Sequence, residues 1–399
     1  MSAPRTNNQK SPWFHSPYVL IVLFLIAAMA VALLVPPKLL DAADGVESKY
    51  RVLVSKLSNF LTSSENPDVV VMGSSLVLMP SVRCDEKAEG KKPCYDTWVY
   101  ERLVPEYTKA DYFAKQLQEQ LGFNLSVKNL GVASSIMSDH QGIFETMLGV
   151  GKKPRLVILG IAPRDFLDNT ISKPMNTPTR SFLTEFHDTS ILPESFTAEG
   201  LQKYPTKLEH RFKKVMAYIK THAIDVACNV SKHPASADYV TTGGDGSERP
   251  NKLADLDRYK NLYNPPNYEM LNTQVGYLRD FLISAEHNGV NVLIVNMPLT
   301  RQNLAALNPD ALKEYKRQVN HLAMNYKATF LDLGSTSTYS LNDFEDCCHL
   351  NSKGGHKFFD DLIVAVKSDS GLNDYLATVS RSKKGLDVAA VGTEMKKPM

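Results

Sequence analysis

The chain has 399 residues, with 45 basic and 43 acidic side chains and a formal charge of +2. So balanced a total excludes a partner held by bulk charge, nucleic acid above all. The length is ample for a buried core, and no fixed-period repeat stands out.

Residues 1–17 hold Arg5 and Lys10 and no acidic side chain. Tyr18–Val35 is an uninterrupted apolar run without a charge, close to the ~20 residues a helix needs to cross a bilayer. We read 18–35 as a single anchor ended by Pro36-Pro37. A cleaved secretory signal is the alternative, because Ala30-Val31-Ala32 offers small residues. Lys38 is soon followed by Asp41 and Asp44, so the charge bias favours the N-terminus inside the cytoplasmic (inner) membrane and everything beyond it outside, in a periplasm or its equivalent. Five cysteines fit an oxidising compartment. Cys84 and Cys94 are near enough in sequence for a loop disulfide worth on the order of 2–3 kcal/mol, while Cys228, Cys347 and Cys348 leave an odd thiol in any pairing.

Residues 36–67 form a linker whose Asp41–Thr62 portion has helical spacing at Val46, Tyr50, Leu53, Leu57 and Phe60. The next stretch, Asp68–Ser75, is a β-branched apolar run stopped by Gly73-Ser74-Ser75, which predicts a buried strand and a tight turn. Leading into a helix, such a turn lifts a serine hydroxyl clear of the sheet with backbone N–H groups beside it. Ser75 is the candidate nucleophile, although Gly-Ser pairs also make ordinary turns. Residues 80–107 read as a long polar loop. Beyond it the pattern alternates: helix Tyr107–Leu121, strand Ser126–Leu130, helix Ser138–Leu148 and strand Arg155–Gly160. A mixed insertion at 170–265 follows, with a basic helix near Thr206–Thr221 and a polar stretch Ser231–Lys252. Helix Asn267–His287, strand Asn291–Asn296, helix Asp310–Tyr326 and strand Thr329–Leu333 resume the alternation, and 380–399 read as a flexible tail. Repeated strand–helix–strand units predict an α/β fold with a parallel sheet between helical layers, its strand ends gathered at one edge.

Near the end, Asp346-Cys-Cys-His349-Leu-Asn-Ser-Lys-Gly354 precedes the helical pattern Phe358–Val366. An aspartate three residues before a histidine can orient the imidazole and stabilise it once it accepts a hydroxyl proton. A helix-capping region with an incidental histidine is the plainer alternative, and His356 is expected to be structural. The Cys/His cluster lacks the spacing of a common zinc motif, so no metal and no cofactor is called for.

In order and context, Gly73-Ser74-Ser75, Asn129-x-Gly131 and Asp346-x-x-His349-Leu-Asn-x-x-Gly354 resemble the SGNH (GDSL-like) hydrolase superfamily. The resemblance implies a flavodoxin-like α/β/α sandwich over 68–379, a Ser75–His349–Asp346 triad and an oxyanion site using the N–H groups of Ser75 and Gly131, with Asn129 in the same turn. The family's Gly-x-Asn-Asp-like block is replaced by Gly160-Ile-Ala-Pro-Arg164-Asp165. Arg164 either stands in as a donor, binds an anionic part of the substrate, or pairs with Asp165. With its anchor and Gly-Ser-Ser turn, the chain is similar to the membrane-anchored branch that includes the D-alanine transfer protein of teichoic-acid modification and the alginate O-acetylation proteins. That likeness implies an acyltransferase or esterase acting on an acylated envelope glycan or polymer beside a membrane-bound O-acyltransferase. The missing asparagine keeps open a silent scaffold that binds polysaccharide or an envelope partner.

Overall fold

The computed structural model describes residues 56–91, 107–187, 251–335 and 338–394. The expected N-terminus 1–17, anchor 18–35, residues 36–55 of the linker, Cys94, Cys228, helix Thr206–Thr221 and residues 231–250 lie outside these. No helix among the described residues is long and apolar enough to cross a membrane.

Five strands form one parallel sheet in the order β2-β1-β3-β4-β5: β1 Val69–Gly73, β2 Val127–Asn129, β3 Leu156–Ile161, β4 Asn291–Asn296 and β5 Thr329–Asp332. The chain steps from β1 to β2 on one side, crosses back to β3 on the other side of β1 and continues through β4 to β5, so its winding direction reverses between β1 and β3. A cleft opens at such a reversal, beyond the C-terminal strand ends. Side chains alternate across the strands and feed two cores. Val70, Met72, Val157, Leu159 and Ile294 face one side, with helical residues 56–62, α4 Met137–Gly149, α8 Tyr268–Asn288 and α10 Pro309–Asn325. Val69, Val71, Ile158, Leu293 and Val295 face the other, with α2 Ser75–Ala88, α3 Asp111–Leu121, α11 Ser352–Ser368 and α12 Ser370–Glu394. We number residues 56–62 as α1. The shorter helices are α5 Arg164–Leu167, α6 Pro178–His187, α7 Leu256–Tyr263 and α9 Arg301–Ala305. The result is a three-layer α/β arrangement.

Two expectations fail here. Residues 80–88 are not loop: α2 runs from Ser75 through Pro80 to Ala88. Proline removes one N–H from the ladder, but Leu76–Asp85 are all buried, and that packing outweighs the lost bond. Two of the charges that suggested a loop, Arg83 and Asp85, are internal fasteners instead. Asp85 accepts the N–H groups of Asp111 and Tyr112 at 3.1 and 2.7 Å, capping α3, whose own N-cap Ala110 has no side-chain acceptor. Cys84 is a free, buried thiol in α2, and its expected partner Cys94 lies outside the described residues. Residues 380–394, expected to be tail, continue α12. Leu372 and Leu376, one turn apart, are buried in the core, and the Ser380 hydroxyl accepts the Asn124 N–H at 2.9 Å.

The helix carrying Ser75 lies close on the sheet because two glycines make room. Gly73 has φ +153°, and a Cβ there would sit 2.4 Å from the Gly160 carbonyl; a Cβ at Gly160 would sit 2.0 Å from Val77 Cγ1. Gly160→Ala is therefore expected to push α2 off β3 and destabilise the protein by about 1–3 kcal/mol, read as a lower urea midpoint. Adding Val77→Ala should recover part of the loss. An unchanged midpoint for Gly160→Ala would refute this packing argument.

Candidate active site

Ser75 is the first helical residue of α2, immediately beyond β1, and is partly exposed. Ser74 is the N-cap, yet its hydroxyl makes no capping bond. The first-turn N–H groups of a helix have no intrahelical acceptor, so that of Ser75 is open to a developing oxyanion and is favoured by the helix dipole.

The opposite wall is the segment between β5 and α11. Phe344 and Leu350 form an antiparallel bridge, and the Glu345 N–H donates to the His349 carbonyl at 2.9 Å, closing a tight loop. Within it Asp346 Oδ1 accepts the N–H groups of Cys348 and His349 at 2.9 and 2.7 Å. Asn351 caps α11 by accepting the Gly354 N–H at 3.0 Å, and its amide donates back to Phe344 O at 3.2 Å. These bonds fix where the loop's side chains point.

Asp346 Oδ2 lies 2.7 Å from His349 Nδ1, and His349 Nε2 lies 2.8 Å from Ser75 Oγ. With the ring proton on Nδ1 and donated to the carboxylate, Nε2 presents a lone pair to the serine hydroxyl. Burial alone would favour an uncharged Asp346, but the His349 charge and its hydrogen bonds, with those from the backbone, hold the carboxyl well below its ordinary range. Burial likewise opposes a charged His349, and Asp346 overrides it, raising the imidazole above its ordinary value. A hydroxyl, an imidazole and a carboxylate are thus aligned in one hydrogen-bonded chain, an arrangement able to support acyl transfer through a serine ester.

Asn129 and Gly131 do not take the positions expected of them. Asn129 is fully buried; its amide donates to Val77 O at 3.2 Å and Ser81 Oγ at 2.8 Å, pinning the β2 turn to α2. Its Oδ1 accepts the Gly131 N–H at 2.7 Å, so the donor expected to face an oxyanion is already engaged. Arg164 is shared between Asp168 at 3.2 Å, the Ser134 carbonyl at 3.5 Å and Asp165 at 4.0 Å. Its nearer carboxylate is Asp168 rather than the expected Asp165. Burial pushes Asp165 up to about 7 against the pull of Arg164. His356 stacks on Tyr112 with ring centroids 4.5 Å apart.

Some participants gave no sequence signal. Lys56 in α1 donates to the Gly131 carbonyl at 2.7 Å, and burial pushes its amine down to about 7. Thr300 Oγ1 donates to the Cys347 carbonyl at 2.7 Å. Arg83 Nε reaches Glu345 Oε2 at 2.6 Å across 262 residues of sequence, and both side chains are buried. Spacing cannot announce partners so far apart.

No family model and no curated protein matches the chain. Among solved structures it is similar to that of a "putative acylhydrolase" from Bacteroides fragilis, at 12% identity over 79% of this chain and 97% of that one, with a TM-score of 0.34.

Proposed function

We propose that the protein is a serine acyltransferase or esterase of the SGNH type, with Ser75 as nucleophile, His349 as general base and Asp346 as its orienting carboxylate. The observation that carries this reading is the unbroken hydrogen-bond chain from Asp346 through His349 to Ser75, at 2.7 and 2.8 Å. Ser75 Oγ attacks an acyl ester while its proton passes to His349 Nε2. The tetrahedral oxyanion is received at the N-terminus of α2, and His349 returns the proton to the leaving alcohol. A second hydroxyl, from water or from a sugar, then releases the acyl group by the same path in reverse. With Tyr18–Val35 as anchor, the catalytic residues work outside the inner membrane on an acylated envelope glycan or polymer, beside a membrane-bound O-acyltransferase.

The test is covalent. A fluorophosphonate should label the full-length chain once, at Ser75 by peptide mapping, and Ser75→Ala should remove the label while leaving thermal stability near that of the parent. Labelling that persists in Ser75→Ala removes the triad reading. The engaged Gly131 N–H and Arg164 favour the rival reading, a silent scaffold. That reading predicts no labelling in the parent and normal complementation by Ser75→Ala, His349→Ala.

A further inference from the structure

Acyl transfer has no use for the two thiols lying between the orienting carboxylate and the base. Cys347 and Cys348 are both free and buried. Their sulfurs and an Asp346 carboxylate oxygen all lie within 4.8 Å of one another. Cys348 Sγ is 2.8 Å from the Tyr259 hydroxyl and 3.5 Å from His349 Nδ1. The peptide joining the two cysteines is held at both ends: its carbonyl by Thr300 Oγ1 at 2.7 Å and its N–H by Asp346 Oδ1 at 2.9 Å. Any change in that peptide is felt directly by the triad carboxylate.

We propose that Cys347 and Cys348 are a hydroperoxide-sensitive dithiol, whose closure to a vicinal disulfide loosens Asp346 and switches the triad off. The activity part of this proposal rests on the acyl-transfer reading, but formation of the ring does not. Closing an eight-membered ring through adjacent residues twists the shared peptide out of its present plane and draws Cys348 Sγ from Tyr259 toward Cys347. The N–H donated to Asp346 turns with it, and the carboxylate loses one of the bonds that aim it at His349.

The two sulfurs divide the chemistry. Cys347 is the more acidic, because the adjoining Cys348 thiol and the His349 charge pull it down, while burial and the Asp346 charge work against them. Burial keeps Cys348 a thiol. The Cys347 thiolate attacks one oxygen of a hydroperoxide, breaking the O–O bond; the other oxygen leaves with a proton as water or alcohol, and Cys347 becomes a sulfenic acid. The Cys348 sulfur, giving up its proton, then attacks Cys347 and expels the sulfenic oxygen as water. Two thiols lose two electrons and one peroxide gains them. Hydrogen peroxide is close to water in size, and His349, whose Nδ1 is 3.5 Å from Cys348 Sγ, is partly exposed.

The experiment treats the full chain with hydrogen peroxide, alkylates the remaining thiols, maps the peptide containing residues 347 and 348, and follows acetyl-ester hydrolysis in parallel. The far-downfield NMR signal of the His349 Nδ1 proton is recorded before and after oxidation. The expected result is an unalkylated peptide lighter by two hydrogens, loss of the ring-proton signal, hydrolysis lower by on the order of 100-fold, and recovery of all three with dithiothreitol. Cys347→Ser should keep hydrolysis and resist peroxide. Two alkylated thiols after peroxide, an inactivation that persists in Cys347→Ser, or a disulfide that leaves the His349 signal unchanged each overturns the proposal. Ring closure and signal loss in a chain without esterase activity would uphold the dithiol and refute the acyl-transfer reading instead.

Discussion

Replacing Asp346 with Asn is expected to lower kcat for a simple acetyl ester by on the order of 10,000-fold, less than the roughly million-fold loss expected for Ser75→Ala or His349→Ala. The reason lies in the tautomer. Asp346 Oδ2 accepts the Nδ1 proton at 2.7 Å, which leaves Nε2 free to accept from Ser75. An asparagine amide directed at Nδ1 would donate to it, placing the ring proton on Nε2 and facing Ser75 with a donor. Because the three side chains act as a unit, Asp346→Asn combined with Ser75→Ala should cost little more than Ser75→Ala alone. A double variant whose losses multiply would contradict a shared mechanism.

The pH profile provides an independent readout. His349 must be neutral to act as base, so kcat/KM falls as pH drops through its value, which Asp346 raises above the ordinary imidazole figure of 6.5. In Asp346→Asn the carboxylate's contribution is gone and burial, which disfavours the charged ring, acts with less opposition. The residual acid limb should therefore move to lower pH. A limb that stays in place would mean another group governs it. Stability follows from the same two shifts with opposite signs. His349, raised, stabilises fully below about 6.5 and loses that effect as pH rises through its folded value. Asp346, depressed, stabilises fully above about 3.9 and loses that effect as pH falls. The pair thus contributes most between those two values.

Much of this geometry could be read from local spacing. Strand Asn291–Asn296 was expected with the bounds it has, because a short apolar run flanked by turn residues has few other solutions. The Asp346–His349 contact was legible because the two residues share one loop. The start of α2 was legible and its continuation was not: Pro80 and the charges at Arg83 and Asp85 signal a break, and only the buried partners of those charges show why there is none. Asn129 illustrates a signal misread. An asparagine two residues before a glycine commonly bonds the backbone two positions on, and it does so here at 2.7 Å; the family resemblance directed attention to an oxyanion instead.

The second large effect belongs to a residue that touches none of the triad. Arg83 sits two turns along the helix that begins at Ser75, and its guanidinium meets Glu345, the neighbour of Asp346, at 2.6 Å. Both side chains are nearly sealed from water, and Arg83 also pairs with Glu86 at 2.8 Å. Arg83→Met should cost about 3–5 kcal/mol of stability, because it leaves a buried carboxylate without its counter-charge. Burial already raises the Glu345 carboxyl and Arg83 opposes the rise; without Arg83 it rises further. Glu345 can then escape part of the penalty by taking up a proton, so the loss should be smaller at pH 5 than at pH 8. Arg83→Met with Glu345→Gln removes the stranded charge and should recover most of the stability. Recovery of hydrolysis should be poorer, since the salt bridge that holds the acid–base loop on the nucleophile's helix is still missing. Urea unfolding at the two pH values, with kcat measured on the folded fraction, separates the effects. Equal midpoints for the single and double variants would show that the buried pair does not join the two halves of the site.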